Sequence, residues 1–305
     1  MTVDDIRTVL IVGAGTMGQQ IGLQAARFGY DVFLYDLDDE TLDAAMRRVR
    51  GYVDRLTDAD AIADPDAVLG RLTPTTDLAT AAGDADLVSE SVPEDPALKG
   101  RVFAELDRLC PPRTLFTTNT STLLPSMFAE ASGRPERLVA LHFHPDVWTS
   151  NVVDVMPHPG TDPAAVALAE AFARRIDQVP IVLEREHSGY VFNTLLVALL
   201  GAAQSLLSGE VTAPENVDRA WMGITGMHTG PLAIMDHIGI DTVWKITHYW
   251  AEESGRKDMQ RNAAYLKEHF VDRGKLGIKT GEGFYSYPNP AYAREGFVEG
   301  DGSRG

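Results

Sequence analysis

The segment that most constrains this chain lies near its start. Thr8-Val-Leu-Ile-Val12 is an apolar, β-branched run, and Gly13-Ala-Gly15-Thr16-Met17-Gly18 follows it directly. The run reads as a strand buried on both faces. The glycine pattern is G-x-G-x-x-G, and the residues from Gly18 to Phe28 read as a helix that Gly29 ends before Asp31-Val-Phe-Leu-Tyr35 resumes strand composition. In that setting Gly13 makes the tight turn, Gly15 lets a pyrophosphate approach the backbone, and Gly18 lets helix and strand pack closely. The helix N-terminus then faces the phosphates, with Thr16 and Met17 beside them. Eighteen residues past Gly18, Asp36 stands at the end of the second strand, where an acid accepts both ribose hydroxyls. Leu37-Asp38-Asp39 offers no arginine for a 2′-phosphate, so the expected cofactor is NAD rather than NADP.

The rest of the chain extends this unit. Strand composition returns at Asp86 to Val92, Thr114 to Thr118, Leu138 to Phe143, Asn151 to Val155 and Pro180 to Leu183, with helical stretches at Glu40–Leu56, Pro96–Leu109 and Pro163–Ile176. Such alternation predicts an α/β fold with a mostly parallel, Rossmann-type sheet covered by helices. After Glu186 the character changes: Val191 to Leu207 is an almost unbroken apolar helix, and strand signals nearly vanish beyond it. The expected division is a dinucleotide-binding domain over 1–186, an all-helical domain over 187–288, and a flexible tail over 289–305 with too little apolar surface to order itself. The apolar helix reads as a core or dimer helix rather than a membrane span, since Asn193, Gln204 and Ser205 interrupt it and no basic flank follows.

Composition narrows the partners. The 305 residues carry a formal charge of -17, a field that repels nucleic acid and anionic membranes. A single cysteine, Cys110, suits a reducing compartment, and the acidic start MTVDDIRTVLIVGAG does not look like a signal peptide, so a cytoplasmic protein is expected.

Three polar segments fall at or just after strand ends, where ligands collect in open α/β sheets. They are Leu87-Val-Ser-Glu-Ser-Val-Pro-Glu-Asp95, Thr118-Asn119-Thr-Ser-Thr122, and Leu141-His-Phe-His-Pro145 with Asn151-Val-Val-Asp-Val155 behind it. Oxidation of a secondary alcohol needs a proton acceptor, and imidazole is the side chain suited to that near neutral pH. His142-Phe-His144 with Asp146 can also be written as an H-x-H metal pair, because alternate strand residues share a face. No third ligand cluster is evident, and no metal is expected.

In this order the glycine loop, VPED, TNTS, HF with a later carboxylate, and Ser188-Gly-Tyr-Val-Phe-Asn193 opening a helical domain resemble the 3-hydroxyacyl-CoA dehydrogenase family. The likeness runs over roughly residues 8 to 287 and includes Gly230-Pro-Leu-Ala-Ile-Met-Asp236 and Gly277-Ile-Lys-Thr-Gly-Glu-Gly-Phe-Tyr285. It implies that His142 is the general base, that Asp154, twelve residues on, orients it, and that Ser121 and Asn193 hold substrate oxygens. By the match of PALKGRVFAELD, Lys99 is implied to contact the cofactor; Glu94 of VPED falls on the family's acid beside it, and Asn119 of TNTS joins the same group. The implied reaction is NAD-dependent interconversion of a short-chain 3-hydroxyacyl thioester and its 3-oxo form, by a homodimer built through the helical domain.

The sequence also departs from the family. HFFNP becomes His142-Phe-His-Pro-Asp146, and the usual VNR becomes Phe192-Asn-Thr194. These changes leave open a free hydroxy acid of the gulonate or carnitine type, a carrier-protein-bound acyl unit, or a non-catalytic, crystallin-like NAD-binding protein. Arg47, Arg48 and Arg50 read either as a patch for coenzyme A phosphates or as a solvated helix face.

Overall fold

Strand β1 (Thr8–Val12) sits near the middle of an eight-stranded sheet, and the residues that flank it explain why. Val9 and Ile11 face one apolar layer, Leu10 and Val12 the other, so the strand is apolar at every inward position on both sides. The computed structural model describes residues 1–300, and its contacts divide the chain into one unit over Met1–Val191 and a second beginning at Phe192.

In the first unit β1 is followed by α1 (Thr16–Arg27), β2 (Asp31–Tyr35), α2 (Asp39–Asp58), α3 (Pro65–Leu69), β3 (Leu72–Thr75), α4 (Leu78–Ala82) and β4 (Leu87–Glu90). Then come α5 (Pro96–Leu109), β5 (Leu115–Thr118), β6 (Leu138–Phe143), β7 (Val152–Pro157), α6 (Pro163–Arg175) and β8 (Val179–Val182). The strand order is β3-β2-β1-β4-β5-β6-β7-β8. Every neighbouring pair is parallel except β6 and β7, which run antiparallel. Apolar residues of α1, α2 and α6, among them Ile21, Leu42 and Phe172, cover one face, and Phe103 and Leu106 of α5 cover the other.

Strand β3 was not expected from the sequence. Its LTPT composition carries Pro74, which cannot donate to a ladder and is tolerated because β3 is an edge strand.

The second unit is built from α7 (Phe192–Ser208), α8 (Pro214–Thr225), α9 (Pro231–Ile238), α10 (Ile240–Ser254) and α11 (Lys257–His269) around Leu200, Leu207, Leu232, Met235, Ile240 and Leu266. No helix among the described residues is long and apolar enough to cross a membrane. The expected flexible tail after Pro288 is corrected over 289–300. Tyr292 packs on the helical core, Phe297 is buried, and Arg219 lies 5.0 Å from the Phe297 ring centre while its Nε donates to the Phe297 carbonyl at 2.8 Å. Two aromatic anchors suffice to dock a short polar segment. Residues 301–305 of that expected tail lie outside the described residues.

Candidate active site

Because β1, β4, β5 and β6 run parallel, their carboxyl ends open on one edge of the sheet, and every predicted site residue of the first unit lies near that edge. Backbone bonds tie the loops together there. Gly13 donates to the Tyr35 carbonyl, Ser91 to Val12, and Asn119 to Glu90, each at 2.8–2.9 Å.

The glycine loop has the shape of a phosphate cradle. Gly13 has φ +103°, and a Cβ there would sit 2.8 Å from the Ser91 carbonyl oxygen; at Gly18 it would come within 1.9 Å of the Gly13 carbonyl oxygen. At Gly15, by contrast, a Cβ would meet nothing within 4 Å. Gly15 and Thr16 are exposed, Met17 is half-buried, and α1 begins at Thr16 with no side chain capping its N-terminus and no acid in its first turn. That leaves its free N–H groups and the positive end of its dipole for an anion. Asp36 receives the Ala14 N–H at 2.7 Å and the Leu37 N–H at 2.8 Å, so its carboxylate also fixes the loop. These residues fit a dinucleotide with an unphosphorylated ribose.

His142 and Asp154 face each other directly in the antiparallel β6–β7 register. Val139, Leu141 and Phe143 of β6 point into one core layer, and the alternation sends His142 to the opposite face, where Asp154 also points. The two residues are 4% and 2% exposed. His142 Nδ1 lies 3.1 Å from Asp154 Oδ2, and His142 Nε2 lies 3.2 Å from Ser121 Oγ. Burial raises the Asp154 carboxyl, but hydrogen bonds from His142 and His144 outweigh it and hold the group below the usual carboxylate range. An ionised Asp154 accepts only, so His142 Nδ1 carries the proton and Nε2 presents a lone pair. The arrangement can accept a proton from a hydroxyl near Ser121.

Tyr190 was not singled out by sequence reasoning, yet it sets the imidazole's plane. Its ring stacks on His142 at 4.5 Å between centroids and 8° between planes, and its hydroxyl donates to the Thr120 carbonyl at 2.7 Å. Burial raises its pKa further, so it stays a neutral donor.

Glu90 was missed as well. It is fully buried at the end of β4 and accepts from Lys99 Nζ at 2.7 Å, Thr118 Oγ1 at 2.7 Å and the Val92 N–H at 2.6 Å. Burial pushes its carboxyl up against the pull of the Lys99 ammonium. Lys99, expected to contact the cofactor, is the cationic partner of Glu90 in this geometry. Lys99 is 1% exposed, and its ammonium is engaged by Glu90, by the Val92 carbonyl at 3.1 Å and by Glu94 at 3.4 Å. Two of its three donors are hydrogen-bonded within the protein, to Glu90 and to the Val92 carbonyl. A lysine's position along a helix does not reveal that a buried glutamate lies beneath it.

Glu94 is exposed and binds the TNTS turn, accepting from Thr120 Oγ1 at 2.8 Å and the Ser121 N–H at 2.6 Å. Asn119 joins that turn to β6, its side-chain oxygen accepting from the Phe143 N–H at 2.8 Å. Asn193 lies half-buried at the start of α7 in the second unit, so its place beside the others rests on the resemblance alone. The expectation that His142 and His144 lack a third metal donor also needs correction. Asp154 Oδ2 is 3.4 Å from His144 Nε2, and ligand atoms of the three residues lie within 4.8 Å of one another. Asp146, the acid expected near the pair, instead occupies a turn with φ +59° whose carbonyl receives the N–H groups of Thr149 and Ser150.

Residues 8–187 match the family model for the 3-hydroxyacyl-CoA dehydrogenase NAD binding domain, and residues 189–287 match that for its C-terminal domain. A 3-hydroxybutyryl-CoA dehydrogenase of Mycobacterium tuberculosis is 34% identical over 287 residues, covering 93% of this chain and 99% of the relative. Among solved structures, a diketoreductase acting on dicarbonyl compounds superposes with a TM-score of 0.86 at 42% identity, over 92% of this chain and 99% of its own. The (S)-3-hydroxybutyryl-CoA dehydrogenase of Ralstonia eutropha gives 0.83 at 28% identity, over 93% and 100%.

Proposed function

Because the chain belongs to the 3-hydroxyacyl-CoA dehydrogenase family and is an NAD-dependent oxidoreductase, we propose that it interconverts the 3-hydroxy and 3-oxo forms of a short-chain acyl thioester, with His142 as the general base. The observation that carries this reading is the chain Asp154 to His142 to Ser121, in which one imidazole nitrogen is anchored and the other faces the site. Bound NAD supplies the hydride acceptor. The substrate's hydroxyl proton passes to His142 Nε2, and Asp154 stabilises the imidazolium that results. Ser121 donates to the substrate oxygen as it becomes a carbonyl, and Asn193 is assigned to a neighbouring substrate oxygen. Asp36 takes the ribose hydroxyls, while Glu94 and Asn119 line the nicotinamide side; Lys99 acts through Glu90 and Glu94.

A second reading concerns the substrate alone. The similarity to a diketoreductase at 42% identity favours a free dicarbonyl or hydroxy acid in place of the thioester. Exposed Arg47, Arg48 and Arg50 on α2 supply cations for coenzyme A phosphates and support the thioester. The test is NADH oxidation with acetoacetyl-CoA, with a carrier-bound acetoacetyl unit and with free 3-oxo acids. Turnover of acetoacetyl-CoA is expected; oxidation with the free acids alone refutes the thioester.

The same reading makes the protein a homodimer through α7. One face of that helix buries Leu200, Ala203 and Leu207, while Phe192, Leu195 and Val197 remain exposed. Light scattering is expected to give twice the chain mass, and a monomer contradicts the assignment.

A further inference from the structure

We propose that His142, His144 and Asp154 form a binding site for a divalent transition metal of the zinc class, and that its occupation disables the imidazole at position 142. Two imidazoles and a carboxylate are the mixed nitrogen and oxygen donors such ions take, with a fourth position left for water. The spacing fits. Bonds of about 2.0–2.1 Å in a tetrahedron place the ligand atoms about 3.3 Å apart. His142 Nδ1 and His144 Nε2 lie 3.1 Å and 3.4 Å from Asp154 Oδ2. The remaining separation falls within the 4.8 Å that encloses all three ligand atoms.

The supports are stiff where they need to be and open where an ion must enter. His142 and Asp154 sit in paired strands, and Tyr190 stacks on the His142 ring. His144, just past the end of β6, has a side chain 16% exposed and supplies the third ligand. The chain's charge of -17 raises the local concentration of cations.

The consequence for turnover follows from the ring's two nitrogens. A metal on Nδ1 needs that lone pair, so the neutral imidazole carries its proton on Nε2, the nitrogen 3.2 Å from Ser121 Oγ. Nε2 is then a donor and cannot take the substrate's proton. This part rests on His142 being the base; the binding of the metal does not.

The test uses the full, untagged chain after chelator treatment. Titration with Co(II), followed by its visible absorption and by displacement with Zn(II), is expected to show one site per chain. His144→Phe and His144→Gln, each checked for folding by NADH binding, are expected to weaken the site more than about tenfold, whereas His228→Gln, at an exposed position, leaves it intact. Binding that is absent, or unchanged in both His144 variants, overturns the site. Zinc is further expected to stop turnover reversibly without weakening NADH binding. One metal bound through His144 with undiminished turnover overturns the inhibitory half of the proposal and the assignment of His142 as base, and leaves the site standing.

Discussion

Two sets of buried carboxylates in this molecule have opposite chemistry. In the first unit Asp154 is held by the imidazoles of His142 and His144. In the second, Asp218 accepts from the N–H groups of Leu232 and Ala233 and from the Tyr285 hydroxyl, while Asp236 accepts from Phe284, Tyr285 and the Tyr287 hydroxyl. All three are at most 2% exposed. The partners make the difference. Around Asp218 and Asp236 burial pushes the carboxyls up, and the hydrogen-bond donors are backbone N–H groups and tyrosine hydroxyls. Around Asp154 the partners can gain and lose protons, and the carboxyl falls below its usual range. Burial of a charge therefore does not mark a site; a partner with a second, outward-facing nitrogen does.

The sharpest way to break this contrast is to exchange the carboxylate at each place for an amide. Asp154→Asn turns an acceptor toward a donor and favours the wrong His142 tautomer, so kcat is expected to fall on the order of 10⁴-fold with NAD affinity unchanged. Ser121→Ala removes a donor to the developing carbonyl and is expected to cost about 10²-fold in kcat. Asp218→Asn is expected to leave kcat per folded molecule within about twofold while lowering stability by about 1–3 kcal/mol in urea unfolding, since an amide cannot accept all three donors.

The smallest effect is on pH dependence, and its sign differs between the two regions. The Asp154 carboxyl is depressed when folded, so its contribution is fully present above the ordinary value of 3.8 and lost as pH falls through the folded value. Asp218 is raised when folded, so its contribution is greatest in acid and lost as pH rises from 3.8 through the folded value. Unfolding midpoints recorded from about pH 3 to 7 are expected to show a shallower acid-side fall in Asp154→Asn and a shallower loss with rising pH in Asp218→Asn. Identical slopes in both variants contradict the contrast.

Local pattern made the frame of the first unit legible. The apolar run of β1, the glycine loop and Asp36 are readable because each depends on neighbours within a few residues. The spacing of His142 and Asp154 was visible, but their pairing depends on the β6–β7 register, which no single segment carries. For the same reason Asp154 went unseen as a third donor beside His142 and His144, and Asp146 was considered instead. Glu90 and Tyr190 stayed hidden because what matters in each is a contact between separate elements: a buried ion pair with Lys99, and a ring laid on an imidazole. Cys110 is a buried free thiol, and burial pushes its pKa up to about 11.

The central claim is that His142 Nε2 takes the proton of an alcohol beside the bound dinucleotide. Its most direct test is His142→Ala, assayed for NAD(H)-linked turnover alongside NADH binding by fluorescence. The account predicts a kcat lower by about 10²–10⁴-fold with unchanged cofactor affinity. Turnover within a few-fold of the parent protein contradicts it.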